Sequence, residues 1–263
     1  SCISNVSLFS LDDIDTGNSG GGSGCPGGGN VLQGEDLAYG DWQNDFNPTA
    51  RGTTMAGIGT PESITGGSEV AGRDYDSGTG FVRDNPTDGQ ITFPFDVEAQ
   101  TGQQDQDRMD FLRDEAKANG LYYTSSGGKV DAGSDFAWPA NSTHTTVVFV
   151  EYTGASGTNR VEWKVGSDSD PPVKGTLVVN GGNFKMTQNR ACLQGVAIVR
   201  GGIYEEGESD NVGGNTCLDG FVNASGTIKI NGSPEPLASD EVLNRPGFYG
   251  VRLWSWREVY SAA

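Results

Sequence analysis

The sequence predicts a mostly β protein, a short β-solenoid (β-helix) with one capping α-helix and long Gly-rich loops. Three observations carry this expectation. Short β-branched runs fill the second half of the chain, divided by Asn-Gly, Gly-Gly, Asp-Pro and Ser-Gly turns. The 41 glycines among 263 residues follow no collagen-like period, as expected of many tight turns, since glycine is costly inside helices and cheap at positive φ. One segment alone has good helix spacing. The chain divides into an irregular Gly-rich β/loop region over 1–104 and a helix plus β-solenoid-like domain over 105–263.

From the N-terminus, residues 16–30 read TGNSGGGSGCPGGGN, with few side chains to bury and a large backbone entropy to lose, and are expected to form a surface loop. Between 31 and 95, short apolar pieces such as Met55–Ile58 and Ile91–Phe93 alternate with Gly, Asp and Pro clusters, the pattern of irregular strands. The run QDQDRMDFLRDEAKAN from Gln104 to Asn119 is the predicted helix. Asp105 and Asp107 sit near its start, Met109, Leu112 and Ala116 recur at spacings of three and four, and Gly120 takes the C′ position. Its apolar stripe is narrow, so the helix is expected to cover a sheet edge or cap the end of a β structure.

The predicted strands that follow are VVFVEY at 147–152, VEWKV at 161–165, GTLVV at 175–179, GVAIV at 195–199, DGFV at 219–222 and GTIKI at 226–230. Gly175, Gly195 and Gly220 recur at intervals close to one coil of a small solenoid, in which each rung buries its neighbour's apolar face. Antiparallel hairpins are the alternative, because Asn180-Gly181-Gly182 is also a hairpin turn. The ends of such a stack need caps, and the helix and the aromatic C-terminal segment around Trp254 and Trp256 are the candidates. These tryptophans read as packing residues, or, if exposed, as a partner-binding surface.

Charge and residue counts restrict the chemistry. Asp plus Glu number 35 against 17 Lys plus Arg, a formal charge of −18, which repels nucleic acid. His144 is the single histidine, so multi-histidine metal sites are ruled out, and no GxSxG elbow accompanies it. It reads as a surface or strand-end residue. No GxGxxG opening a helix and no GxxxxGK[ST] is present to cradle a nucleotide. Acidic clusters at Asp12-Asp13-Asp15, at Asp168 and Asp170, and at Glu205, Glu206, Glu208 and Asp210 are candidate Ca²⁺ ligands. None has the EF-hand spacing, and the expected cofactor is none. Asn5, Asn141, Asn223 and Asn231 each begin an N-x-[ST] sequon.

Cys2, Cys25, Cys192 and Cys217 lie among Gly, Asn and Ser and lack CxxC spacing, which points to two disulfides and an oxidising, extracytoplasmic location. Three connectivities exist, and nearness in sequence favours Cys2–Cys25 and Cys192–Cys217, each closing a loop worth roughly 3 kcal/mol. No stretch reaches the length of an apolar membrane span.

FLRDEAKANGLYY at 111–123, VVFVE at 147–151, GTLVVNGGNFKMTQNRACLQGVAIVRGG at 175–202 and SWREVY at 255–260 resemble, in this order, the PilX-like minor pilins of type IV pilus systems. Residues 1–104 match none of the motifs. The resemblance implies a β-solenoid ectodomain outside the cytoplasm that acts in pilus assembly, adhesion or DNA uptake, without an active site, and whose partners are other pilin subunits or a surface ligand. Such pilins begin with a long apolar helix. The sequence here has none, so the expectation is either an ectodomain separated from its anchor or a solenoid relative that is not itself a pilin. Two rival readings are a carbohydrate-active β-helix enzyme, with paired acids and a basic residue on one rung face, and a phage or capsid structural protein.

Overall fold

The computed structural model describes residues 6–15, 31–33, 35–37, 50–54, 56–59, 64–65, 69–71, 102–167, 170, 173–186, 191, 193–206 and 218–230. The protein is mostly β, with one α-helix among these residues. The first strands are β1 (Val6–Ser10), β2 (Ile14–Asp15), β3 (Val31–Gln33), β4 (Glu35–Leu37), β5 (Ala50–Thr54), β6 (Ala56–Gly59), β7 (Ile64–Thr65) and β8 (Glu69–Ala71). Helix α1 (Gln103–Ala118) follows. Then come β9 (Tyr122–Ser125), β10 (Lys129–Ala132), β11 (Val147–Tyr152), β12 (Arg160–Trp163), β13 (Val173–Asn180), β14 (Asn183–Met186), β15 (Leu193–Arg200), β16 (Tyr204–Glu206), β17 (Leu218–Ala224) and β18 (Ile228–Ile230).

Alternate strands enter two different sheets. The first sheet has the order β6-β1-β17-β15-β13-β11-β9 and the second β10-β12-β14-β16-β18-β2-β7, each seven strands wide and parallel throughout. The Asn180-Gly181-Gly182 turn therefore passes the chain from one sheet to the other and does not close an antiparallel hairpin. The glycines whose intervals suggested a repeat are register partners, with Gly175 opposite Gly195 and Gly195 opposite Gly220. Two small sheets, β3–β8 and β4–β5, complete the described strands, and β4–β5 is antiparallel. Strands from both sides of residue 104 lie side by side, since β1 pairs with β17 and β2 with β18.

The space between the large sheets is the main core. Val148, Val150, Leu177, Val179, Ala197, Val199 and Val222 from the first sheet meet Val161, Trp163, Phe184, Met186, Ile228 and Ile14 from the second. Trp163 is fully buried, donates its indole N–H to Ala191 O at 2.8 Å, and stands edge-on to Trp138 and Phe184 at centroid distances of 5.2 and 6.3 Å. Aromatic pairs at such angles add to the stabilisation from burial alone.

Helix α1 covers the outer face of the first sheet, which corrects the expectation that it caps an end or an edge. Met109, Leu112 and Ala116 pack on Val147, Phe149, Val178, Val196, Ile198 and Phe221. The reason lies in the strands, whose residues of both parities are apolar, so that the outer face must also be removed from water. The helix ends where the sequence indicated: Asn119 is the C-cap and Gly120 follows with φ of 70°. α1 also carries the chain along part of the first sheet, toward β9 at the sheet end. Its start lies by β15, and three strand spacings to β9 are roughly 14 Å, within the roughly 24 Å that a 16-residue helix spans.

Close approach of successive units depends on glycine. A Cβ on Gly195 would fall well inside contact with the carbonyl oxygen of Gly175, and one on Gly202 would meet the carbonyl of Gly182. Both contacts are to backbone, which cannot swing aside. Gly195→Ala is therefore expected to lower stability by about 1–3 kcal/mol in urea unfolding, with Gly157→Ala, where a Cβ meets nothing within 4 Å, close to neutral.

Candidate functional site

The two outer faces of the sheets differ in chemistry. On the first sheet, two ion pairs fasten α1. Near the helix start, Arg200 at the end of β15 donates Nε and Nη2 to the two oxygens of Asp105, both at 2.8 Å, and Nη1 to the carbonyls of Val199 and Asn223. Both side chains are 9% exposed. Arg108 is buried beside them at 3.4 Å from Asp105. Burial lowers the Arg108 pKa and the Arg200 charge adds to that, against the attraction of Asp105.

Further along α1, Arg113 Nε and Nη2 each lie 3.1 Å from a Glu151 oxygen, and its guanidinium stands 5.2 Å from the Phe149 ring centroid. Tyr122 Oη and Asn180 Nδ2 also donate to Glu151, at 2.6 and 3.0 Å. Burial alone would raise the Glu151 pKa. The hydrogen bonds from Tyr122, Arg113 and Asn180, with the Arg113 charge, outweigh it and hold the carboxyl below the ordinary glutamate range. A carboxylate so held stays ionised near neutral pH and is poorly suited to donate a proton.

The second sheet turns one face to the core and one to water, as the alternating burial of Asn183, Phe184, Lys185 and Met186 shows. One of its register columns runs Asp131, Glu162, Lys185, Glu205, Lys229 and Asp15. Beyond the one acidic neighbour pair, the signs alternate along the column. Lys164 Nζ lies 2.9 Å from Asp131 Oδ2 and 3.5 Å from Glu162, and Lys129 bridges the same two carboxylates at 3.2 and 3.5 Å. Arg160 adds 2.6 Å to Glu162. Burial pushes the Asp131 pKa up, and bonds from Lys164 and Lys129 more than reverse this, leaving it lowered. This charged, largely self-neutralised strip is the candidate interaction face.

Comparison with known proteins returns no match: no family model, no curated protein and no solved structure matches the chain.

The sequence-predicted residues fall in scattered places. Cys2, Cys25, Cys192, Cys217, Asp168, Trp254 and Trp256 lie outside the described residues. Leu193 pairs with Leu218, and in sequence Cys192 and Cys217 directly precede them. Asp170 is exposed and accepts from Ser167 N–H at 2.7 Å and Ser167 Oγ at 3.0 Å, the geometry of a turn. Glu205 and Glu206 belong to β16, and Glu205 stands between Lys185 and Lys229 in register. Among the described residues no three His, Cys, Asp or Glu side chains come together to hold a metal. His144 is half-buried in the loop before β11, and Asn141 is exposed while Asn223 is 1% exposed.

Arg200, Arg113 and Glu151 were not picked out by motif. For Glu151 and Arg200 the signal is a charge at the end of a run that is otherwise apolar, VVFVE and VAIVR, because a charge beside buried neighbours must find a partner.

Asp105→Ala strands Arg200 beside Arg108 and is expected to cost about 3–5 kcal/mol in denaturant unfolding. Glu151→Gln is expected to cost roughly 1–2 kcal/mol at neutral pH. Since the folded pKa of Glu151 is depressed, its contribution is present in full above the unfolded carboxylate value near 4.5 and is lost as pH falls through the lower folded value. Stability curves of the wild type and Glu151→Gln should therefore converge in acid; parallel curves would contradict the assignment.

Proposed function

We propose that the chain is a short β-solenoid, each β–turn–β unit being one rung, that serves as a rigid extracytoplasmic stand for presenting a surface to a partner. The register carries this reading: successive units add one strand to each sheet in the same direction, with glycine stacked on glycine and valine on valine in columns of the first sheet. Such a stack holds its faces and loops in fixed positions, which suits presentation. The described carboxylates that are buried, Asp105 and Glu162, are engaged by basic side chains, which favours a structural over a catalytic role for them.

In its specific form the proposal is a non-enzymatic, minor-pilin-like subunit of a type IV pilus, acting in assembly, adhesion or DNA uptake. Its partners are other pilin subunits or a surface ligand, and direct nucleic-acid binding is disfavoured by the −18 charge. Attachment to a membrane would run through an N-terminal apolar helix. It bears two disulfides and needs no cofactor.

The test is made in the source cells. The protein carrying an epitope tag is expected to co-sediment with sheared surface filaments, and gene deletion is expected to reduce filament number or adhesion. Its four cysteines should resist alkylation until a reductant is added. Cytoplasmic retention with freely alkylated thiols would end this reading. Turnover of a polysaccharide, abolished by one Asp→Asn change, would replace it with the carbohydrate-active enzyme, and closed symmetric oligomers in light scattering with a capsid-type protein.

A further inference from the structure

The end of the stack carries an inference that rests on strand geometry and is independent of the pilus reading. β9 and β10 are the terminal strands of the two large sheets, so each has one edge without a ladder partner among the described strands. Exposed strand edges invite pairing with another chain. A second copy that continued the stack end to end would need both edges, because every unit supplies one strand to each sheet.

The two edges are not treated alike. In β10, Gly128 O accepts from Arg160 N–H at 3.1 Å and Ala132 O from Lys164 N–H at 2.8 Å. Alternation along a parallel strand then turns the backbone of Lys129 and Asp131 to the outer edge. The chain itself occupies the Asp131 groups. Asp135 Oδ2 accepts the Asp131 N–H at 2.7 Å, and Asp131 O accepts from the N–H groups of Asp135 and Ser134 at 2.8 and 3.2 Å. Gly133 N–H donates to Phe136 O at 2.7 Å, and Phe136 forms a parallel bridge with Ala132 on that side. The Phe136 side chain is 4% exposed and stacks on Tyr123 at 4.6 Å, which anchors the segment. In β9, Leu121 O accepts from Phe149 N–H and Ser125 O from Thr153 N–H, so Tyr122 and Thr124 present their backbone outward, and no comparable closure covers them among the described residues.

We propose that Asp131–Phe136 is a built-in end cap that stops the second sheet from pairing with a second copy of this chain, and so blocks end-to-end growth of the stack. The Asp135 carboxylate is the positioning group, since it takes the Asp131 N–H, one of the two outward β10 donors that a neighbouring strand would otherwise bond. Lys129, exposed on the remaining free stretch, adds the usual edge protection by charge.

The experiment compares the wild type, Asp135→Ala, Asp135→Asn and the double variant Asp135→Ala/Lys129→Pro by light scattering over a range of concentrations. Asp135→Ala is expected to gain mass with concentration, to roughly twice the wild-type value or beyond, as pairing of edges between copies requires. Asp135→Asn keeps an acceptor oxygen and is expected to behave as the wild type. The edge proline, which removes the outward N–H of Lys129, is expected to reverse the association. Asp135→Ala at the wild-type mass throughout, with an unchanged circular dichroism spectrum, would overturn the proposal. Hydrogen exchange on the wild-type protein gives a reading that needs no variant. Slow exchange at the Asp131 and Gly133 amides with fast exchange at Lys129 is expected, and fast exchange at Asp131 would equally overturn the cap.

Discussion

Parallel pairing sets neighbouring strands one spacing apart, roughly 4.8 Å, and brings the same register position of successive units into contact. Each such column must accept its own kind above and below. Val150, Val179 and Val199 satisfy this by packing aliphatic groups in the core, and Val161 and Phe184 do so across the gap. At Gly175 and Gly195 the backbones approach too closely for any side chain. In the second sheet one column is charged, and there the register sets Lys185 and Lys229 on either side of Glu205, opposite signs in succession.

The contrast between the outer faces follows from what covers them. α1 takes the outer face of the first sheet out of water, so the strands beneath it are apolar on both sides, and the few charges they carry are matched from the helix by Asp105 and Arg113. Nothing among the described elements packs over the outer face of the second sheet, and there Lys129, Arg160 and Lys164 keep their ammonium and guanidinium groups in contact with solvent while pairing with Asp131 and Glu162. The same helix carries the chain from beside β15 toward β9, in a strand order that does not follow the sequence, since β1 lies against β17.

Legibility in the sequence tracked these environments. Strands buried on both faces appear as unbroken apolar runs, and β11 coincides with VVFVEY while β13, β15 and β17 enclose their predicted cores. β14 and β16, with sequences NFKM and YEE, were not recognised, because a strand of three or four residues with one wet face offers at most two apolar positions. For β9 and β10 the Tyr-Tyr and Lys-Val-Asp-Ala segments are likewise too short and mixed to announce a strand. Of the candidate site, the charges of β10 and β12 were visible only as scattered Lys, Arg, Asp and Glu, since the pairs that join the two strands, such as Lys164 with Asp131, are 33 residues apart in sequence.

Composition and local pattern alone determined that this chain is rich in β structure, that one amphipathic helix spans the residues after Gln103 and ends before Gly120, and that glycine marks the recurring unit. These are properties of residues against their immediate neighbours, where backbone conformation and apolar spacing suffice. Only the tertiary structure decided that the strands run parallel in two sheets, that the helix lies on a face and not at an end, and that an N-terminal strand adjoins a C-terminal one. Such choices depend on contacts between segments far apart in sequence. A β-branched run is equally content beside a parallel or an antiparallel neighbour until the whole set of columns must pack at once.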